Sequence, residues 1–292
     1  MVKGKITGLL LLLLTALPVF SQNKLPVQWE ELTAGDFVNA IHQSGGTCVL
    51  PFGVLEKHGP QLPVGTDLIN VRRAVLDAVQ QEYAVVFPEY YFAQIFEAQQ
   101  QPGTVAYSLP LQLQLLQETV SEMSRNGCKK ILIVNGHGGN NYLLPLFAQS
   151  QLASPRDYVV YIFGLTSLDA PGRPPVKSPD DMHAGETETS HMMYSRPELV
   201  HMDRIASQSG TDQNRLKGLP DTVFTGIWWY AKFPNHYAGN PAAANKELGA
   251  FDMKTWSQKI ATAVHAIKAD DASLKLQNEY FEKTRHPLDT PQ

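Results

Sequence analysis

Short apolar runs alternate along the chain with longer segments whose apolar residues recur every three or four positions. The apolar runs predict buried strands at residues 46–54, 83–93, 128–136 and 157–165. The longer segments predict helices at 29–45, 67–82, 110–127 and 142–153, in the second half of 183–200 and at 256–269. Strands that alternate with helices indicate a parallel sheet covered by helices on both faces, so the pattern predicts an α/β fold.

Two polar segments directly follow predicted strands. LEKHGPQLPVGTD, residues 55–67, comes after the first strand, and NGHGGNN, residues 135–141, comes after the strongest one, CKKILIVNG. In open α/β sheets, ligands bind beyond the carboxyl ends of the strands. We therefore expect both segments at a functional site. A third segment, HAGETETS at 183–190, follows a stretch rich in proline and charge, residues 170–181, which predicts a surface flap.

Composition places the chain among globular proteins and excludes one class of partner. Its 292 residues are 43% hydrophobic and 18% charged, which is enough for one domain with a sizeable core. The formal net charge is -4, and the basic residues are scattered rather than clustered. Nucleic acid is therefore not an expected partner.

The N-terminus has the layout of a signal peptide. Lys3 and Lys5 precede an apolar run from Ile6 to Phe20, which ends in small and polar residues. This run is short for a bilayer-spanning helix and contains Pro18, which disfavours a retained membrane anchor. We expect residues 1–21 to be removed on export to the periplasm or the exterior, and residues 22–292 to form one domain.

The chain has two cysteines, Cys48 and Cys128, each at or near the start of a predicted buried strand. An exported protein can oxidise such a pair, but two free buried thiols explain the pattern equally well. Two cysteines cannot form a structural thiolate zinc site, so a metal here would need histidine and carboxylate ligands.

Three short segments hold the candidate metal ligands and proton-transfer groups. Taken alone, the first could be a polar turn, the second a tight turn, and the third a helix N-terminus where carboxylates complement the helix dipole. Together they offer more ligands than one tetrahedral ion needs, in a set that suits Zn, Mn or Fe, so a two-metal site bridged by Asp67 is predicted. The candidates are Glu56, His58, Asp67, His137, His183, Glu186 and Glu188.

These segments resemble the motifs of the creatininase family of metal-dependent amidohydrolases. PFGVLEKHGPQLPVGTD, residues 51–67, is similar to the family's first motif, and NGHGGN and HAGETETS match the second and third in order. PGTV at 102–105 and the region 239–249 are similar to weaker family elements. The resemblance covers roughly residues 29–249. It implies an α/β/α sandwich, often assembled as a hexamer, with two divalent metal ions.

The resemblance also implies roles for individual residues. Glu56 and His137 would bind one metal ion, His58 would bind the other, and Asp67 would bridge them. In creatininase itself a glutamate stands where this chain has Gly139, so we expect Glu188, or otherwise Glu186, to supply the missing ligand. His183 matches a histidine that transfers protons, and Glu186 is the alternative acid.

Departures from the family pattern bear on the substrate. Gly138 replaces the tyrosine of true creatininases, and Gln61 replaces the second histidine of the first motif, which puts creatinine itself in doubt. The aromatic segment near residue 230 offers candidates for the wall of a substrate pocket. An anchor for a surface loop or a contact with another subunit explains the same residues equally well. The candidates are Trp228, Trp229, Tyr230 and His236.

The sequence thus predicts an exported amidohydrolase that cleaves a non-peptide or cyclic C–N bond of a small molecule, by attack of a hydroxide that bridges two metal ions. The alternatives are a metallohydrolase acting on an ester, lactone or phosphoester, and a non-catalytic protein that binds a metal or small ligand.

Overall fold

The computed structural model describes Met1 and residues 25–220 and 222–291. Apart from Met1, the predicted signal peptide lies outside the described residues. No helix in the described part of the chain is long and apolar enough to cross a membrane.

Four parallel strands form the sheet: β1 (Thr47–Phe52), β2 (Val85–Val86), β3 (Lys130–Asn135) and β4 (Val159–Phe163). Their order is β2-β1-β3-β4. Every residue of β1 is buried, as expected for a strand between two helical layers. The prediction of a strand at 83–93 is only partly correct, because just two residues form a ladder and Tyr90 adds an isolated bridge to Phe52.

The helices of the described residues are α1 (Ala34–Gln43), α2 (Thr66–Val79), α3 (Leu109–Arg125), α4 (Asn140–Ser150), α5 (Glu186–Ser195), α6 (Trp228–Lys232), α7 (Lys246–Ala269) and α8 (Ser273–Thr284). The predictions for α1 to α4 are confirmed, and α5 begins at Glu186, earlier than the second half of 183–200 in which a helix was predicted. The last predicted helix begins ten residues earlier than expected, and α8 was not predicted. Both differences follow from mixed polar and apolar composition, which weakens the periodic signal.

The two faces of the sheet bury separate hydrophobic cores. One face packs Cys48 and Leu50 of β1 against α1, α3 and α4. The other face packs Val49 against α2 and α7. Successive side chains of a strand point to opposite faces, so β1 supplies both cores. The predicted three-layer α/β/α sandwich is confirmed.

The order of the strands creates a crevice between β1 and β3. After β1, helix α2 leads to β2 on one side. The connection through α3 then returns the chain past β1 to β3 on the other side. Because α2 covers one face of the sheet and α4 covers the other, the loops that leave β1 and β3 diverge. Such a point of reversal is where open α/β sheets bind ligands.

Two glycines let the N-terminal turn of α2 lie against both strand ends. A Cβ on Gly53, just after β1, would lie 2.9 Å from the backbone nitrogen of Leu68. A Cβ on Gly136, just after β3, would lie 2.7 Å from Cβ of Val71. Side chains at either position would push α2 away, and with it Asp67 in its first turn.

Cys48 and Cys128 form a disulfide, which decides between the two interpretations of the cysteines. Cys48 lies in β1, and Cys128 lies between α3 and β3. Their Cα atoms are 5.6 Å apart, and both side chains are fully buried in the core that packs against α3 and α4.

Candidate active site

The loop after β1 delivers two buried side chains to the crevice. Glu56 is 1% exposed and His58 is fully buried. The backbone N–H of Glu56 donates to the carbonyl of Val64 at 3.0 Å, and the carbonyl of Leu55 accepts from Val105 at 3.2 Å. Residues 102–105, the PGTV element, therefore brace the loop and limit its freedom.

His137 and Asp67 meet this loop from the neighbouring elements. His137 follows β3, and its backbone N–H donates to Oδ1 of Asn135 at 3.0 Å. Asp67 lies in the first turn of α2, where the helix dipole favours a negative charge. Because β1 and β3 are adjacent and paired through Phe52 and Asn135, both loops reach the same crevice.

Asp67 lies between two histidines and presents one oxygen to each. Its Oδ1 is 3.0 Å from Nε2 of His58, and its Oδ2 is 2.9 Å from Nδ1 of His137. The same Nδ1 is 2.8 Å from Oε1 of Glu56. This is the arrangement expected of a carboxylate that bridges two cations, with Glu56 and His137 on one side and His58 on the other.

Glu188 joins the second half of the cluster, whereas Glu186 does not. Oε2 of Glu188 lies 3.9 Å from Nε2 of His58 and accepts a hydrogen bond from the backbone N–H of Ala184. Oε2 of Glu186 instead accepts from the backbone N–H groups of Lys177 and Ser178, both at 2.8 Å. Side chains two positions apart on a helix point in directions that differ by about 200°, so only one of these two glutamates can face the cluster.

The cluster fits divalent cations by a direct structural criterion. Oε1 of Glu56 and Oδ2 of Asp67 are buried and make no hydrogen bond, although both lie within 2.9 Å of His137 Nδ1. Among the described residues there are three groups of three side chains in which one ligand atom from each lies within 4.8 Å of the other two. Buried carboxylate oxygens without a donor are costly, and a cation would satisfy them. The groups are Glu56, His58 and His183; Glu56, Asp67 and His137; and His58, Asp67 and Glu188.

The buried histidines and carboxylates of the cluster shift one another's pKa values. Burial alone would lower the pKa of His58, but Asp67 and the nearby glutamates raise it to about 10. Burial likewise opposes ionisation of Glu56, yet His137 and His183 hold the pKa of this carboxyl well below its ordinary value. These shifts favour positively charged imidazolium groups on His58 and His137 beside the ionised carboxylates.

His183 lies beside the cluster, and its pKa is shifted in the opposite direction from those of His58 and His137. Its Nε2 donates to the backbone carbonyl of Lys57 at 2.9 Å, and its Nδ1 lies 3.8 Å from Oε2 of Glu188. Burial, reinforced by the positive charge of His58, lowers the pKa of His183. The following residue, Ala184, has a φ of 55°, which turns the chain sharply into α5.

The residues predicted to form a substrate wall separate into two pairs. Trp228 is half-buried, and Tyr230 is exposed with Arg215 over its ring. Trp229 and His236 are buried, and the indole N–H of Trp229 donates to Nδ1 of His236 at 2.8 Å. Nε2 of His236 makes a hydrogen bond to Oε2 of Glu56, so this pair supports the cluster on the side away from His137.

A cavity of about 380 Å³ opens next to the cluster, with Asp67 and Glu188 in its wall. None of the four predicted wall residues lines it. Asn70 lies one turn after Asp67 on α2, so helical spacing could have identified it. Leu165, just after β4, and Trp256 of α7 come from distant segments that carry no motif. The other lining residues are Gly136, Thr166, Leu168, Asp181, Met182, Thr187 and His191.

The fold and the site together define a parallel α/β protein with a buried histidine and carboxylate cluster at the crevice between β1 and β3. A family model described as creatininase, creatinine amidohydrolase, matches residues 30–264. The chain therefore belongs to the creatininase family, whose members are metal-dependent hydrolases.

Individual relatives agree with this assignment. The mycofactocin precursor peptide peptidase of Mycolicibacterium smegmatis is 31% identical over 173 residues, which cover 56% of this chain and 64% of that protein, just under two thirds. The creatinine amidohydrolase of Pseudomonas putida is 24% identical over 257 residues, which cover 76% and 90%.

Solved structures share the fold. The crystal structure of a putative creatinine amidohydrolase from Bacteroides fragilis superposes with a TM-score of 0.65 at 25% identity, covering 77% of this chain and 91% of that one. Creatininase structures in a Mn form and a Zn–Zn form superpose with the same TM-score at 19% identity.

Proposed function

We propose that this protein is a two-metal hydrolase that cleaves a C–N bond in a small, uncharged amide, lactam or formamide. The observation that carries the proposal is the position of Asp67, whose two oxygens face His58 and His137 separately. One ion would be held by Glu56, Asp67 and His137, and the other by His58, Asp67 and Glu188. Two such ions supply a nucleophilic water at neutral pH and polarise the carbonyl that it attacks.

His183 is the proposed proton-transfer group. An amide nitrogen must be protonated before it can leave, so the site needs a group that accepts a proton and then delivers it. Nε2 of His183 is fixed by the carbonyl of Lys57, which leaves Nδ1 on the side of Glu188 and the cluster. Glu186 holds the backbone of the flap instead, so we give it the role of positioning the flap rather than transferring protons.

The cavity supports an uncharged substrate. Leu165, Leu168 and Trp256 contribute apolar surface, and the described lining residues include acidic groups but no lysine or arginine. The described lining offers no lysine or arginine to pair with a carboxylate or phosphate on the substrate, and the carboxylate of Asp181, which accepts hydrogen bonds from Thr187, would disfavour one. The cavity volume, about 380 Å³, is near the lower end of the range for small-molecule sites.

The disulfide supports the proposal that the protein is exported. Disulfides persist mainly in oxidising compartments, and Cys48 and Cys128 are paired. We propose that residues 1–21 are removed and that the mature protein begins near Gln22. N-terminal sequencing of protein recovered from the periplasm or medium tests this, and an intact leader would contradict it.

The central experiment combines metal analysis with a substrate screen. Purified protein loaded with Zn or Mn is expected to hold about two ions per chain and to release amine or ammonia from at least one small amide, lactam or formamide. Esters, lactones, phosphoesters and short peptides belong in the same screen. Turnover of only these would replace the proposed bond type. Protein that takes up no metal would overturn the two-metal mechanism.

The variant His183→Ala separates catalysis from metal binding. We expect it to keep both ions and to lose roughly a hundredfold or more in turnover, the usual contribution of acid-base catalysis. The variant Trp228→Phe, at a position outside the cluster, is the matched control. An unchanged rate in His183→Ala would assign the proton transfer to another group.

A further inference from the structure

His236 is fixed in a single tautomer by its neighbour Trp229. The side chain of His236 is 1% exposed, and its Nδ1 faces the indole Nε1 of Trp229 at 2.8 Å. An indole N–H can only donate, so Nδ1 of His236 must accept and carries no proton. The proton of the neutral ring is therefore on Nε2.

This tautomer sets the role of the Glu56 carboxylate. Nε2–H of His236 donates a hydrogen bond to Oε2 of Glu56. The other oxygen, Oε1, makes no hydrogen bond and lies 2.8 Å from Nδ1 of His137. The two oxygens of Glu56 are thus divided, one held from behind by His236 and one left free on the side of the cluster.

The backbone at His236 shows that the contact is enforced by the surrounding structure. Its φ of 51° lies in the left-handed region, which non-glycine residues rarely adopt. Two residues later, Ala238 exchanges two backbone hydrogen bonds with His183, at 2.9 and 3.0 Å. The segment 236–238 therefore contacts both the candidate ligand Glu56 and the candidate proton-transfer residue His183.

We propose that His236, oriented by Trp229, is a positioning residue that holds Glu56 in the orientation needed to bind metal. The inference rests on the proposed two-metal function and adds to it a hydrogen-bonded chain from Trp229 through His236 to Glu56. Partners of this kind orient metal ligands, and their loss typically weakens metal affinity by about 10–100-fold. The loss should be confined to the ion held by Glu56 and His137.

The test is a titration of metal-free protein with Zn²⁺ in competition with a chromophoric chelator. His236→Asn tolerates the left-handed backbone but is too short to reach Glu56. Trp229→Phe keeps an aromatic ring but removes the indole N–H together with part of the ring volume. Each is expected to weaken one of the two sites by about 10–100-fold while the other changes less than about threefold. His236→Gln, which keeps a donor and an acceptor, should recover much of the affinity.

Matched variants assign the effect. Among the described residues the side chain of Trp228 makes ring contacts but no hydrogen bond, so Trp228→Phe should bind both ions as the wild type does. In a Glu188→Gln background, where one site is already lost, Trp229→Phe should weaken the remaining site. Thermal melting of the metal-free proteins shows whether each variant is folded. If His236→Asn does not fold, the metal titration of Trp229→Phe decides the outcome.

Two results would overturn the inference in distinguishable ways. If the wild type binds two ions and the His236 and Trp229 variants bind them with equal affinity, or weaken both sites equally, the positioning role is wrong and the proposed function stands. If the wild type binds no Zn²⁺, the proposed function fails and this inference fails with it.

Discussion

The disulfide between Cys48 and Cys128 joins residues that are 80 positions apart in the sequence. It ties β1 to the turn before β3, the two strands whose ends carry the cluster. In the chain-entropy model, a cross-link stabilises the fold by restricting the unfolded chain, more so for longer loops. For a loop of about 80 residues the stabilisation is about 4.5 kcal/mol at 25 °C. Replacement of both cysteines by alanine should therefore remove roughly that free energy of unfolding.

The assay is equilibrium unfolding in urea, followed by tryptophan fluorescence, with and without a reducing agent. The wild type should lose about 4.5 kcal/mol when the reductant reaches the unfolded chain, whereas the double variant should not respond to reductant. This comparison separates the cross-link from the small side-chain volume that the variant also loses. A difference below about 1 kcal/mol, or two free thiols in the unfolded, unreduced wild type, would refute the reasoning.

Other perturbations test the bridging ligand, a buried ion pair and a helix contact. Asp67→Asn should lose both metal ions, as measured by metal analysis, and retention of one full equivalent would remove the bridging role. Asp252 is buried, and although burial raises its pKa, Arg173 and His191 outweigh burial and lower it. Its ion pair therefore stabilises the fold above the unfolded pKa of about 4 and weakens as pH falls through the folded value. Asp252→Asn should cost about 3 kcal/mol in urea unfolding at pH 7 and less at pH 3, and an equal cost at both would contradict this. A Cβ on Gly249 would lie 1.9 Å from the carbonyl oxygen of Ser190 where α7 meets α5, so Gly249→Ala should destabilise by about 1–3 kcal/mol. The matched change Gly35→Ala in α1 meets nothing within 4 Å and should be neutral or stabilising, and equal effects of the two would rule out the steric explanation.

Much of the sheet and its helices could be predicted because each element carries its own pattern. The run KILIVN is apolar and short, and it forms β3 as predicted. The bounds of the two-residue β2 and the existence of helix α8 were harder to predict, since the sequences around them mix polar and apolar residues without a clear period. The positions of the polar loops also followed from local signals, because strands that alternate with helices place their carboxyl ends at one edge.

The choice between Glu186 and Glu188 needed the tertiary structure. Both glutamates stand in the first turn of α5, and the resemblance ranked Glu188 ahead of Glu186 without a contact to decide between them. How α5 packs against α7, where Gly249 allows close contact with Ser190, fixes which side of the helix faces the crevice. Glu188 is then near His58, while Glu186 holds the flap.

The sequence by itself determined the layered α/β architecture, the family and the set of residues that meet at the crevice, because periodicity and short motifs are local properties of a chain. Only the tertiary structure decided which oxygen faces which partner. It showed that Cys48 and Cys128 are close enough to join and that His236 lies behind Glu56 rather than in the cavity wall. These contacts join residues as many as 180 positions apart in the sequence, and they depend on how the helices pack on the sheet, which no local pattern records.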